Sequence, residues 1–260
     1  MNQRCKDIRK NIVRISHDSG HGHLPSCFSV IEMLVALYGH MNHFPDDPGN
    51  PERDIFLLSK GHAALGLYCV LADQGYFSVD NVCTFGGFGS TFGCHADRTK
   101  IPGIEASTGS LGHGIGLAVG VAQAAKIRKS GQQVYALVGD GEANEGSVWE
   151  SLLVAESLGL DNLTVFYDDN RSHSRGLQIG NPAEKLAAFG CQVHDVNGHD
   201  IDAITAALQA ETDRPKAIVG RTIKGFGSRL LADNQHEWHR KSPNDEQLEI
   251  ILGEIDAAAV

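Results

Sequence analysis

The sequence predicts an α/β fold, a mostly parallel sheet with helices on both faces. Two patterns carry that prediction. Short apolar runs rich in β-branched residues alternate with longer stretches of helical period, the order that builds a sheet covered by helices. In addition, the run at 134–138 ends in Gly139-Asp140-Gly141, and the next run, 163–167, ends in Asp168-Asp169-Asn170. An acid and an amide therefore stand at two adjacent strand ends, with a helical segment at 145–158 between them.

From the amino terminus, Ile8, Ile12 and Ile15 mark one face of an amphipathic helix over 3–15. Ser16-His17-Asp18-Ser19-Gly20-His21-Gly22-His23 is too polar and glycine-rich for an element interior and reads as a loop before a helix over 30–38. Residues 55–58 form a short buried strand, and Ser59-Lys60-Gly61-His62 turns into a helix reaching about Ala72. Residues 85–94 are Gly, Phe and Ser without a period, a loop that ends in Cys94-His95-Ala96-Asp97. After Leu111, Gly112, Gly116 and Gly120 recur every four residues along a helix, a stripe that lets a partner helix or a ligand approach the backbone. Further on, helices are expected at 183–189, 201–210 and 246–255, and strands at 191–196 and 216–221.

Composition narrows the function classes. The 260 residues are 42% apolar and 21% charged, ordinary for a soluble globular protein, and the net charge is −10. A charge of that sign disfavours nucleic acid or an anionic membrane as main partner. The six cysteines show no Cys-x-x-Cys spacing and no signal peptide precedes them, so free thiols in a reducing, cytoplasmic setting are expected. Residues 106–125 are uncharged but carry five glycines with Ser, Thr, His and Gln, a poor membrane span.

The strand ends have a chemical use. Hard divalent cations take oxygen ligands, a few from protein and the rest from water and phosphate. Asp140, the Asn170 side-chain oxygen and a backbone carbonyl just beyond it can supply three. A lone Gly-Asp-Gly is usually a plain turn; the asparagine at the next strand end favours a metal-diphosphate clamp instead. The histidines at 17, 21 and 23 suit a solvated loop as well as a site. Cys94-His95 could suggest a thiol nucleophile or a metal site, but no partner ligands lie at metal spacing.

Gly139-Asp140-Gly141-Glu142-Ala143-Asn144-Glu145-Gly146 through Tyr167-Asp168-Asp169-Asn170 resembles the thiamine-diphosphate signature of transketolases. Asp54-Ile55-Phe56-Leu57-Leu58-Ser59-Lys60-Gly61-His62-Ala63 and Gly103-Ile104-Glu105-Ala106-Ser107-Thr108-Gly109-Ser110-Leu111-Gly112-His113-Gly114 resemble two further blocks of that family, in its order. The resemblance covers nearly the whole chain and implies one diphosphate-binding (PP-type) domain over 1–260, of the thiamine-diphosphate-binding fold. It implies the amino-terminal subunit of a split transketolase, an enzyme moving a two-carbon ketol unit from a ketose (phosphate) donor to an aldehyde acceptor. The pyrimidine-type and carboxyl-terminal domains are then expected on a separate chain, in an α2β2 heterotetramer.

The same resemblance implies the cofactors, thiamine diphosphate and magnesium, with calcium or manganese able to substitute. Asp140, Asn170 and the Ser172 carbonyl would hold the metal. His62 and His236 would contact the diphosphate, Arg240 standing where a glycine is usual after the latter. Gly109, Ser110, Gly139, Gly141 and Glu142 would line the cofactor, Leu111 would support its rings, and His113 would lie near its pyrimidine. Glu145 would meet the partner's activating glutamate, although it also suits the first turn of a helix. His23 and His95 would orient the donor sugar, with Cys94 and Ala96 departing from the family's glycine and proline. Literal matching selects His21 and spacing to Tyr38 selects His23; the latter is preferred.

Arg171-Ser172-His173-Ser174-Arg175-Gly176 departs from the family, with Arg175 where an acid is usual. It reads equally as a basic patch for a substrate phosphate or acidic carrier and as a solvated loop. Alternative functions are delivery of the two-carbon unit to a lipoyl or carrier-protein thiol, or a non-catalytic cofactor-binding role.

Overall fold

Five short segments hydrogen-bond into one sheet: β1 (Ile55–Leu58), β2 (Val134–Gly139), β3 (Leu163–Asp169), β4 (Gln192–Asn197) and β5 (Lys216–Arg221). Their order is β1-β2-β3-β5-β4 and every pairing is parallel. The chain is described by a computed structural model covering residues 1–258 without the Arg175 side chain; the expectation placed on that arginine and the last two residues lie outside the described residues. The helices are α1 (Gln3–Ser19), α2 (Leu24–Phe28), α3 (Ile31–His40), α4 (Ala64–Asp73), α5 (Val79–Val82), α6 (Gly114–Arg128), α7 (Gly146–Ser157), α8 (Pro182–Ala188), α9 (Ile201–Gln209), α10 (Arg229–Ala232) and α11 (Asp245–Ala257).

Successive strand residues face opposite sides, and this splits the core in two. Phe56, Leu58, Tyr135, Leu137, Phe166 and Ile218 pack with α1, α3, α4 and α9. Leu57, Ala136, Val138, Val165, Tyr167 and Val219 pack with α6 and α7. Because both faces are covered, β1, β2 and β3 are buried along their whole length, which explains their near-continuous apolar sequences. β4 is an edge strand and correspondingly polar, with Gln192, His194, Asp195 and Asn197.

Two expectations are corrected. α1 runs to Ser19, four residues past its apolar face, because Ser16 is buried and Gly20 closes the helix in the left-handed conformation at φ 69°. Gly112 is not part of the glycine stripe: it precedes α6 at φ 77°, leaving Gly116 and Gly120 on the helix. No helix among the described residues is long and apolar enough to cross a membrane.

Candidate functional site

The carboxyl ends of β2 and β3 bring Asp140, Asn170 and Ser172 together. Asp140 is 1% exposed, and its Oδ1 accepts from Gly141 N–H and from Ser172 Oγ, both at 2.6 Å. Its Oδ2 lies 2.7 Å from His173 Nδ1. Asn170 Oδ1 accepts from Ser172 N–H at 3.0 Å and retains a second lone pair for a metal. Arg171 adopts a left-handed φ of 61°, which folds the chain back so that a 3-10 turn, Ser172–Arg175, faces Asp140.

Beneath these groups lies Asp168, fully buried. Its Oδ2 accepts from Lys60 Nζ at 2.5 Å and from Ser29 Oγ and Asn170 Nδ2 at 2.7 Å each, while Thr222 Oγ1 donates to Oδ1. Asp168 thereby orients the Asn170 amide and neutralises a buried lysine at once. Neither Asp168 nor Lys60 was singled out from the sequence, since nothing local announces a partner 108 residues away. Lys224 was missed as well. It is 5% exposed, has no hydrogen-bond or ion-pair partner among the described residues, and its ammonium is pulled down to about 8 by burial and by Lys60.

Beside this end of the sheet, four histidines gather. The His23 ring lies 5.5 Å from His62, 6.4 Å from His95 and 5.3 Å from His239, and His62 lies 5.9 Å from His239. Burial lowers all four, His62 well below its ordinary value and His23 to about 4; neighbouring rings and Lys224 add to the effect at His23, His62 and His239, and Arg240 adds to it at His95. At neutral pH they are uncharged imidazoles, able to donate one hydrogen bond and accept another.

This cluster holds the histidine of one of the two registers. His23, which caps the start of α2, is inside it; His21 instead packs against the loop at Gly86. His236 lies 3.3 Å from Ser174 Oγ. From the same segment, His239 brings its ring to His23 and His62. Trp238, 1% exposed, anchors the 3-10 turn Glu237–Arg240, and the residue after it reaches the cluster. Spacing alone could not separate two histidines belonging to a single turn and its entry.

Glu142 is corrected too. Its carboxylate turns inward, accepting from Ser59 Oγ at 2.5 Å, Gly112 N–H at 2.9 Å and Gly139 N–H at 3.2 Å. It fastens three loops together and does not line an open site; burial raises it despite those donors. Ser110, Leu111 and His113 do line an open surface, Leu111 being 37% exposed rather than a core leucine. Glu145 caps α7 without a side-chain cap bond and is exposed. Gly109, at φ 150°, packs on His95, and a Cβ on Gly61 would stand 2.7 Å from the Gly109 nitrogen.

The arrangement suits a metal-bound diphosphate: buried hard-oxygen donors converge, an ammonium lacks a paired anion among the described residues, and glycines leave backbone within reach. Residues 2–251 match the family model described as transketolase, thiamine diphosphate binding domain. The chain is 38% identical to a subunit of the apulose-4-phosphate transketolase of Actinobacillus succinogenes, over 98% of this chain and 95% of that one. It is 34% identical to the 6-deoxy-6-sulfo-D-fructose transketolase subunit SqwG of a Clostridium strain, over 96% and 94%. Among solved structures, the transketolase of Campylobacter jejuni superposes with a TM-score of 0.90 at 27% identity, over 98% of this chain and 43% of that one. The chain thus spans about two fifths of the full-length transketolases it matches.

Proposed function

The chain belongs to the transketolase family, as its thiamine-diphosphate-binding domain, and on that footing we propose that it is the diphosphate- and metal-binding subunit of a two-component transketolase. The reaction is transfer of a two-carbon ketol unit from a ketose donor to an aldehyde acceptor. The observation that carries the proposal is the meeting of Asp140, Asn170 and Ser172 at adjacent strand ends, flanked by the buried ammonium of Lys224 and four neutral histidines.

In this reading Asp140, the Asn170 oxygen and the Ser172 carbonyl hold magnesium, with calcium or manganese able to substitute. His62, His239 and Lys224 bind the diphosphate, and Gly109, Gly139 and Gly141 let backbone approach it. Thiamine diphosphate, once bound, supplies the carbanion chemistry that cleaves a ketose beside its carbonyl. The protein's own share is orientation. His23 and His95 hydrogen-bond the donor hydroxyls, Ser110, Leu111 and His113 support the cofactor rings, and Glu145 stands ready to share a proton with a partner carboxylate.

Residues 1–260 form one domain, and the pyrimidine-type and carboxyl-terminal domains come from a separate chain in an α2β2 assembly. Two features support a companion. The relatives matched nearly end to end are named as subunits, and Leu117 on α6 with Leu153, Val154 and Leu158 on or just past α7 are 44 to 54% exposed. The six cysteines are free, in keeping with a cytoplasmic protein. The named relatives favour ketol transfer to an aldehyde over delivery to a carrier thiol or a non-catalytic role. The donor is a small sugar phosphate or similarly anionic ketose, as the two subunit relatives suggest.

The test is co-purification with the companion chain, followed by consumption of xylulose 5-phosphate with ribose 5-phosphate, thiamine diphosphate and magnesium. Turnover lost in Asp140→Ala is the expected result. Binding without turnover would redirect the search to another anionic ketose, and no thiamine diphosphate binding would sink the proposal.

A further inference from the structure

We propose that His173 is a direct ligand of the divalent cation at Asp140, so that an imidazole nitrogen enters an otherwise all-oxygen shell. The inference rests on the reading of Asp140, Asn170 and Ser172 as metal-holding groups. The two oxygens of Asp140 are used differently. Oδ1 is already taken by Gly141 N–H and Ser172 Oγ at 2.6 Å each. Oδ2 is the oxygen left for a cation, and its hydrogen-bond partner among the described residues is His173 Nδ1 at 2.7 Å. A cation that takes Oδ2 therefore meets the imidazole.

The distance suits shared coordination. Two neighbouring ligands of an octahedral ion, each at about 2.1 Å, stand about 3.0 Å apart. The Asp140–His173 pair needs to open by only a few tenths of an ångström (about 0.3 Å on that geometry). Both side chains are held in place, Asp140 at 1% and His173 at 11% exposure. The loop that carries His173 is set by Arg171 in the left-handed region, and its carbonyl is tied down by Gly176 N–H at 2.7 Å and Gln178 Nε2 at 2.8 Å. Asp169 also lies within 4.8 Å of this pair, but it is committed to Arg221 and is not part of the shell.

The chemical consequence is metal preference. Carboxylate, amide and carbonyl oxygens suit magnesium and calcium, whereas imidazole favours first-row transition ions. With His173 in the shell, manganese and cobalt gain affinity relative to magnesium.

The experiment is a competitive titration of Mn2+ against Mg2+ into the purified chain with excess thiamine diphosphate. Free Mn2+ is followed by its paramagnetic resonance signal, and Co2+ is followed separately by its visible absorption. Relative to the parent, His173→Ala should lower the Mn2+-over-Mg2+ affinity ratio by about tenfold or more and shift the Co2+ spectrum. His173→Gln, which keeps a hydrogen-bonding group beside Asp140 without an imidazole, should behave like the alanine variant. Equal ratios and superimposable Co2+ spectra in parent and variants would overturn the inference and leave the oxygen site standing. No saturable Mn2+ binding in the parent would remove the metal-site reading itself.

Discussion

Replacing Lys224 by Met should make the chain more stable and its anion site weaker, and the pH dependence of the gain is the critical observation. Lys224 is 5% exposed, without a paired anion among the described residues, and burial with Lys60 pulls its ammonium from 10.5 to about 8. At about 1.4 kcal/mol per unit, keeping that charge buried costs the fold about 3 kcal/mol. A folded value below the unfolded one means that the unfolded chain holds its proton more tightly. Stability from this group is therefore fully present above 10.5 and is lost as pH falls through about 8. Methionine fills a similar volume and carries no charge. Urea unfolding should show Lys224→Met more stable by about 2–3 kcal/mol at pH 7, with the advantage fading towards pH 10.5. Calorimetric titration should show thiamine diphosphate or inorganic pyrophosphate bound roughly 10- to 100-fold more weakly, the loss of one charge-assisted contact. A variant no more stable at pH 7, or an advantage that persists unchanged at pH 10.5, would refute the account of Lys224 as a cation held in reserve for an anion.

Three other outcomes follow from the same geometry. Asp168→Ala strands the buried Lys60 and should cost about 3–5 kcal/mol in denaturant unfolding; adding Lys60→Met should recover much of it, and a double variant as unstable as the sum of the singles would show the pair to be uncoupled. His239→Ala should raise the thiamine diphosphate dissociation constant by about tenfold, on the scale of one lost hydrogen bond to a charged group, while His236→Ala leaves it near the parent value; the reverse pattern in fluorescence titration would restore the sequence register. Leu153→Asp with Leu158→Asp should leave the melting temperature within a few degrees, as exposed substitutions do, and abolish co-elution with the companion chain. Undiminished co-elution would exclude that helix face as the docking surface.

The local patterns needed no tertiary information. β1, β2, β3 and β5 ended within two residues of their expectations because a run covered on both faces is largely apolar, and a turn built on Gly139 and Gly141 is a property of its own dihedral angles. Asp140 and Asn170 were recognisable for the same reason: each follows directly on such a run, so the strands themselves carry them to the carboxyl end of the sheet. What the sequence could not decide depended on directions set by packing between distant segments. His21 and His23 are alike in a polar loop, and only α2 docking beside His62 places one ring in the cluster and the other against Gly86. His239 reaches the same cluster because buried Trp238 fixes how its turn lies. Glu142 turns inward because Ser59, Gly112 and Gly139 offer donors from three separate loops. The charges that set the electrostatics of the site, Lys60, Asp168 and Lys224, acquire meaning from neighbours far along the chain. Whether a buried charge is neutralised or left waiting for a ligand depends on distances in space, and the order of residues does not contain them.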